Sequence, residues 1–134
     1  MATLQGTRAE DFVEAPSPGP IDPSPLAGTW FNTDKESRGI VKIVAAARDG
    51  VFTVQAFGAA SPAPVDWGEV QAGVYAEGAG AKTAAAFGAF YDHGFLRTHL
   101  QAKVNRGVLV VAMFNEFTDG SGRSSYFARE FYHR

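Results

Sequence analysis

Arg97, His99 and Gln101 sit at a spacing of two in "FLRTHLQAKV", and the following apolar run carries Phe114 and Glu116 at the same spacing. Alternate residues of a strand share a face. His99 and Glu116 are therefore candidates for proton transfer, and Arg97 and Phe114 for holding a ligand that is part charged and part apolar. Tyr91 and Tyr126 complete the catalytic candidates, since a phenol can orient or protonate a bound group. Which way the Arg97 face looks stays open at this point. Both faces of the run 107–117 are apolar, with Leu109, Val111 and Met113 opposing Val108, Val110 and Phe114. Two apolar faces imply a second buried surface, which is either an interface between copies of the chain or the ground beneath an N-terminal arm.

Asp66 and Trp67 in "PAPVDWGEV" form the second constellation. The indole could cover an opening or stack on a ligand with Asp66 as acceptor, or it could simply pin its own loop. "FTDGSGR" offers a single carboxylate, Asp119, which is too few for calcium and suits a hairpin turn. His93, His99 and His133 share no metal-ligand spacing and the chain has no cysteine, so no metal is expected. No phosphate loop or dinucleotide fingerprint is present, and no cofactor is expected.

These residues need elements to hold them. From Leu26 onward, short apolar, β-branched and aromatic runs alternate with breaks such as "RDG", "EGAG", "NRG" and "DGSGR". Period-two alternation between turn signals predicts strands. We place them at 27–33, 39–47, 51–58, 69–77, 82–91, 95–104, 107–117 and 124–133. No run has a helical period with caps. Residues 1–25 differ: five of the seven prolines lie between Pro16 and Pro25, which predicts an extended arm, with one helical turn over Arg8 to Val13.

The expected organisation is thus a Pro-rich arm, 1–25, and one all-β domain, 26–134. About eight antiparallel strands joined by short turns form an up-and-down meander, and closure into a β-barrel would remove its sticky edges. Alanines and glycines inside the strands, such as Ala45, Gly58, Ala85 and Gly88, permit the coiling that closure needs.

Net charge is -2, so nothing in the overall charge draws nucleic acid or an anionic membrane. No apolar stretch is long enough for a spanning helix or a signal-peptide core. A cysteine-free chain suits the reducing cytoplasm.

"LAGTWFN" puts Gly28-x-Trp30 on the first strand, and there the chain resembles the calycin superfamily of lipocalins, fatty-acid-binding proteins and the avidin type. The resemblance implies that Trp30 plugs one end of the barrel and that an Arg of the last strand crosses its ring, here Arg129 in "YFAREFYHR". "GTWFN" is also similar to the opening of avidin-type sequences, which makes Asn32 a ligand-binding candidate. The later tryptophan-bearing strands of that type are missing, so biotin is not carried over. "NTDKESRGIVKIV", "SPAPVDWGEV", "YDHGFLRT" and "FTDGSGRSSYFAREF" together resemble a family of small uncharacterised bacterial domains, some in tandem. Several of its members carry cysteines flanking the segment that here reads "ASPAPVDWG", where this chain has none.

The leading functional expectation is a barrel that binds a small, partly apolar ligand. The alternatives are an isomerase or cyclase that shapes a reactive substrate and a carbohydrate-binding or interaction module. Self-association is compatible with all three.

Overall fold

The computed structural model describes residues 20–134, which form nine strands and no helix. The strands are β1 (Gly28–Asn32), β2 (Ile40–Arg48), β3 (Val51–Gly58), β4 (Val65–Gln71), β5 (Gly73–Ala76), β6 (Ala84–Asp92), β7 (Leu96–Asn105), β8 (Val108–Phe117) and β9 (Tyr126–His133). They make one antiparallel sheet in the order β4-β3-β2-β1-β9-β8-β7-β6-β5. Among the described residues no helix is long and apolar enough to cross a membrane.

Of the expected arm, residues 1–19, with the helical turn at Arg8 to Val13, lie outside the described residues. Its end is tied down. Asp22 bridges Thr83 in parallel, accepting from the Ala84 amide and donating to the Lys82 carbonyl, each at 2.8 Å.

Seven expected strands match observed ones to within a few residues. The eighth, 69–77, is two strands, β4 and β5, divided at Ala72. The expectation of about eight strands closing on themselves is corrected in both respects: there are nine, and no ladder joins β4 to β5. The two edge strands are nonetheless consecutive in the chain. Ala72 turns inward and gives its amide to the Phe52 carbonyl at 2.9 Å, and the chain leaves β3 there to pair with β6.

Period two sets what each strand buries. On β7, Thr98, Leu100 and Ala102 point inward while Arg97, Gln101 and Lys103 are exposed; on β8, Leu109, Val111, Met113 and Asn115 point inward. The Arg97 face therefore looks outward. The buried polar pair Thr98 and Asn115 is self-contained, with the Thr98 hydroxyl donating to Asn115 Oδ1 at 2.7 Å. The inner face carries one continuous apolar core that includes Trp30, Phe87, Leu100, Leu109 and Tyr132.

Trp30 is fully buried, and its indole Nε1 donates to the Leu26 carbonyl at 2.9 Å. The cation over it is Arg134, whose guanidinium lies 4.3 Å from the ring, and not Arg129, which lies over Phe131. Parity is the reason. Tyr132 points inward on β9, so Arg129 points out, whereas Arg134 returns to the inner side at the strand's end. Arg134 also donates to the Ala27 carbonyl at 2.8 Å. Gly28 has a φ of 128°, and a Cβ there would sit 3.1 Å from the Arg134 side chain, so the glycine of Gly-x-Trp makes room for the cation.

Arg134→Gln is expected to lower unfolding stability by about 1–2 kcal/mol, through loss of the cation–π contact on the buried Trp30 ring and of a carbonyl partner. Arg129→Gln should change it by less than about 0.5 kcal/mol, as exposed substitutions do. Urea unfolding of the two variants checks the assignment.

Candidate functional site

Antiparallel register across β6, β7, β8 and β9 aligns Phe90, His99, Phe114 and Phe127 in one row on the outer face. Their rings touch in sequence. His99 stacks on Phe90 at 4.1 Å between centroids and 10° between planes, Phe114 follows at 6.1 Å, and Phe127 lies 5.1 Å beyond. The result is an exposed aromatic ridge. Phe90 is 69%, Phe114 46% and Phe127 57% accessible.

A hollow of about 550 Å³ opens on one side of the ridge. It gathers Arg97, His99, Glu116 and Tyr126 with Phe114 and Phe127. Two of the catalytic candidates, His99 and Glu116, and two of the ligand candidates, Arg97 and Phe114, thus meet at one place on the outside of the sheet, and Tyr126, set against Phe117, borders it at the start of β9. Arg97 stands 3.9 Å from Glu116 and 3.9 Å from Asp92. At that distance and exposure each pair is worth under about 1 kcal/mol, which leaves the guanidinium free to turn toward a ligand anion. A second hollow of about 620 Å³, floored by Ala86, Gly88 and Ala112 and edged by Tyr75, lies on the ridge's other side.

The remaining candidates serve the framework. Tyr91 is buried on β6, and its hydroxyl crosses the interior to accept from the Ala56 amide at 2.9 Å and donate to the Gly68 carbonyl at 2.8 Å, with the Val54 carbonyl at 3.3 Å. Burial pushes its phenol pKa up. This hydroxyl is taken by backbone and is not free for catalysis. Asn32, also buried, donates to the Ile40 carbonyl and to Glu130 Oε2, each at 2.9 Å, while its Oδ1 accepts from the Asp34 amide. Tyr132 donates to the same Ile40 carbonyl at 2.7 Å, and burial together with the Glu130 charge raises its pKa. This polar network finishes the end of β1 and β9.

Asp66 and Trp67 owe their placement to a bulge. Phe57 pairs with Asp66 but Gln55 pairs with Glu69, so β4 carries one extra residue, and Gly68 absorbs it at a φ of 88°. Asp66 accepts from the Gly68 amide and from Gln55 Nε2, each at 2.8 Å, and these bonds, that to Gln55 foremost, hold its carboxyl below the usual range. The bulge turns Trp67 inward, edge-on to Tyr91 at 5.4 Å and to His93 at 4.8 Å. His93 Nε2 is buried there with no hydrogen-bond partner among the described residues. Trp67 is a half-buried wedge set away from the outer hollows.

The "FTDGSGR" loop closes on itself. Asp119 accepts from the Ser121 amide at 3.1 Å and from Arg123 at 2.8 Å, and Arg123 lies 4.1 Å over the Phe117 ring. Bonds from Ser121, aided by Arg123, bring the Asp119 pKa from 3.8 to about 2.

Sequence reasoning did not single out Phe90 and Phe127 as site residues. Their equal register with His99 and Phe114 was readable only once strand pairing was known. No family model, curated protein or solved structure matches the chain.

Two outcomes test this description. Gly58→Ala would place a Cβ 2.6 Å from Trp67 Nε1, so it should cost about 1–3 kcal/mol and red-shift tryptophan fluorescence, with an unaltered spectrum as the contrary result. Because the folded pKa of Asp119 is depressed, its bonds stabilise the loop above pH 3.8 and are lost as pH falls toward 2. Amide shifts of Gly120 and Ser121 should move in that window, and should be pH-independent there in Asp119→Asn.

Proposed function

We propose that this chain is a binding module that takes a small, partly apolar ligand in the hollow beside the aromatic ridge. One observation carries the reading: Arg97, His99, Glu116 and Tyr126 share a 550 Å³ hollow with exposed Phe114 and Phe127. Pockets of this volume hold small molecules. The phenyl rings suit a ring or hydrocarbon part, and Arg97 suits a carboxylate or similar anion at its end. The inner face is occupied by Trp30, Phe87, Tyr91 and Tyr132, which favours the outside as the place of binding.

Two further parts belong to the same reading. The sheet is read as calycin-like, an unclosed nine-stranded meander whose β4 to β5 corner is held by Tyr91; the stacking of Arg134 on Trp30 supports this. The module works in the cytoplasm, with its cysteine-free composition as support. A second reading, an isomerase or cyclase, rests on His99, Glu116 and Tyr126 sharing the hollow. Recovered ligand that stays chemically unchanged on incubation with the protein would remove it.

Aromatic carboxylic-acid fragments titrated into labelled protein test the main reading. The expected result is amide shift changes on Arg97, His99, Phe114 and Tyr126, with about tenfold weaker binding in Arg97→Ala, as loss of a charge-assisted contact predicts. Shift changes confined to the inner positions Leu100, Leu109 and Val111 would return the site to the interior.

A further inference from the structure

The ridge and the 620 Å³ hollow behind it have matching forms on one surface. Two residues along the strands from the ridge, the next row across is Gly88, Gln101, Ala112 and Arg129, and the one after is Ala86, Lys103, Val110 and Phe131. Side chains fall away at Gly88, Ala86 and Ala112, which makes the trough, and rise again at Phe131 and at Tyr75, which are 44% and 60% accessible. The step from ridge to trough floor is about 7 Å, two residues of strand. We infer that this face is a two-fold interface, in which the ridge of one copy seats in the trough of a second copy of this chain.

Three features favour a second copy over another partner. A two-fold contact sets a patch against itself, so it needs a raised part and a recessed part side by side, and this face has both. It also needs a patch without excess charge, because any excess would repel its own image. The ridge carries no fixed charge, and around it Arg97, Lys103 and Arg129 are matched by Asp92, Glu116 and Glu77, with Lys103 and Glu77 paired at 3.2 Å. The area suffices as well. Tyr75, Phe90, Phe114, Phe127 and Phe131 are between 44% and 69% accessible, which for rings of this size leaves on the order of 500 Å² of aromatic surface. A standard interface buries about 800 Å² on each partner, and the trough walls with the polar rim supply the difference. An apolar centre inside a polar rim is the composition such contacts have.

The inference stands apart from the ligand reading, though a second copy would roof the neighbouring hollow. Sedimentation equilibrium of the full chain from micromolar to sub-millimolar concentration tests it, alone and with Phe114→Glu on the ridge or Ala112→Arg in the trough. The expected result is a dimer whose dissociation constant rises at least about thirtyfold in each variant, the loss typical of a central interface residue. Hydrogen exchange of the unsubstituted chain at high and low concentration should show protection on β6 to β9 only at the high end, a readout that stands if either variant fails to fold. A monomer at every concentration, or a dimer equally tight in both folded variants, overturns the inference. Fragment binding by a persistent monomer would sink it while leaving the ligand reading intact, and a dimer that binds no fragment would do the reverse.

Discussion

The Tyr91 hydroxyl bridges the two edges of the sheet, and the rest of the fold depends on that bridge. In a nine-stranded sheet whose edge strands are consecutive in the chain, the edges must meet at one corner without a ladder between them. The β4 bulge leaves Ala56 and Gly68 unpaired across β3 and β4. Tyr91, reaching from β6, takes the amide of one and the carbonyl of the other. A buried amide or carbonyl left without a partner costs about 1–3 kcal/mol, so a single phenol removes two such costs and joins the halves of the sheet.

That constraint decides what the interior can be. Tyr91 and Trp67 fill the space under the corner, Trp30 and Tyr132 fill the space toward the β1 and β9 end, and Phe87 and Phe52 meet between them at 5.9 Å. With the inner face committed to packing, most of the exposed aromatic rings stand on β6 to β9. Both proposals, a ligand beside the ridge and a second copy over it, draw on this exposed apolar surface.

Much of the architecture was legible because alternation is a local signal. "FLRTHLQAKV" showed which residues share a face, and turn chemistry such as "NRG" showed where strands end; Arg106 and Gly107 do take positive φ there. What stayed hidden depends on pairing between distant strands. Ala72 reads as an ordinary small residue until β3 and β6 compete for its neighbours. The bulge at Gly68 reverses the parity of Trp67, so a residue that looks like a loop anchor becomes a wedge against the core. Arg129 and Arg134 were separable by parity alone, given that Tyr132 points inward. The facing of Arg97 could not be read, because Val110 and Phe114 are as apolar as Leu109 and Met113. The outer face of β8 is apolar because it lies on the ridge and beside the trough.

The most direct test is amide hydrogen exchange on Tyr91→Phe. If the phenol joins the edges, exchange should quicken selectively at Ala56, Ala72 and the residues facing them on β3 and β4. Exchange on β7 and β8, and the outer row with them, should keep its native pattern. Unchanged exchange at Ala56 and Ala72 would mean that the corner closes without Tyr91, and would contradict the account of an interior committed to holding the sheet together.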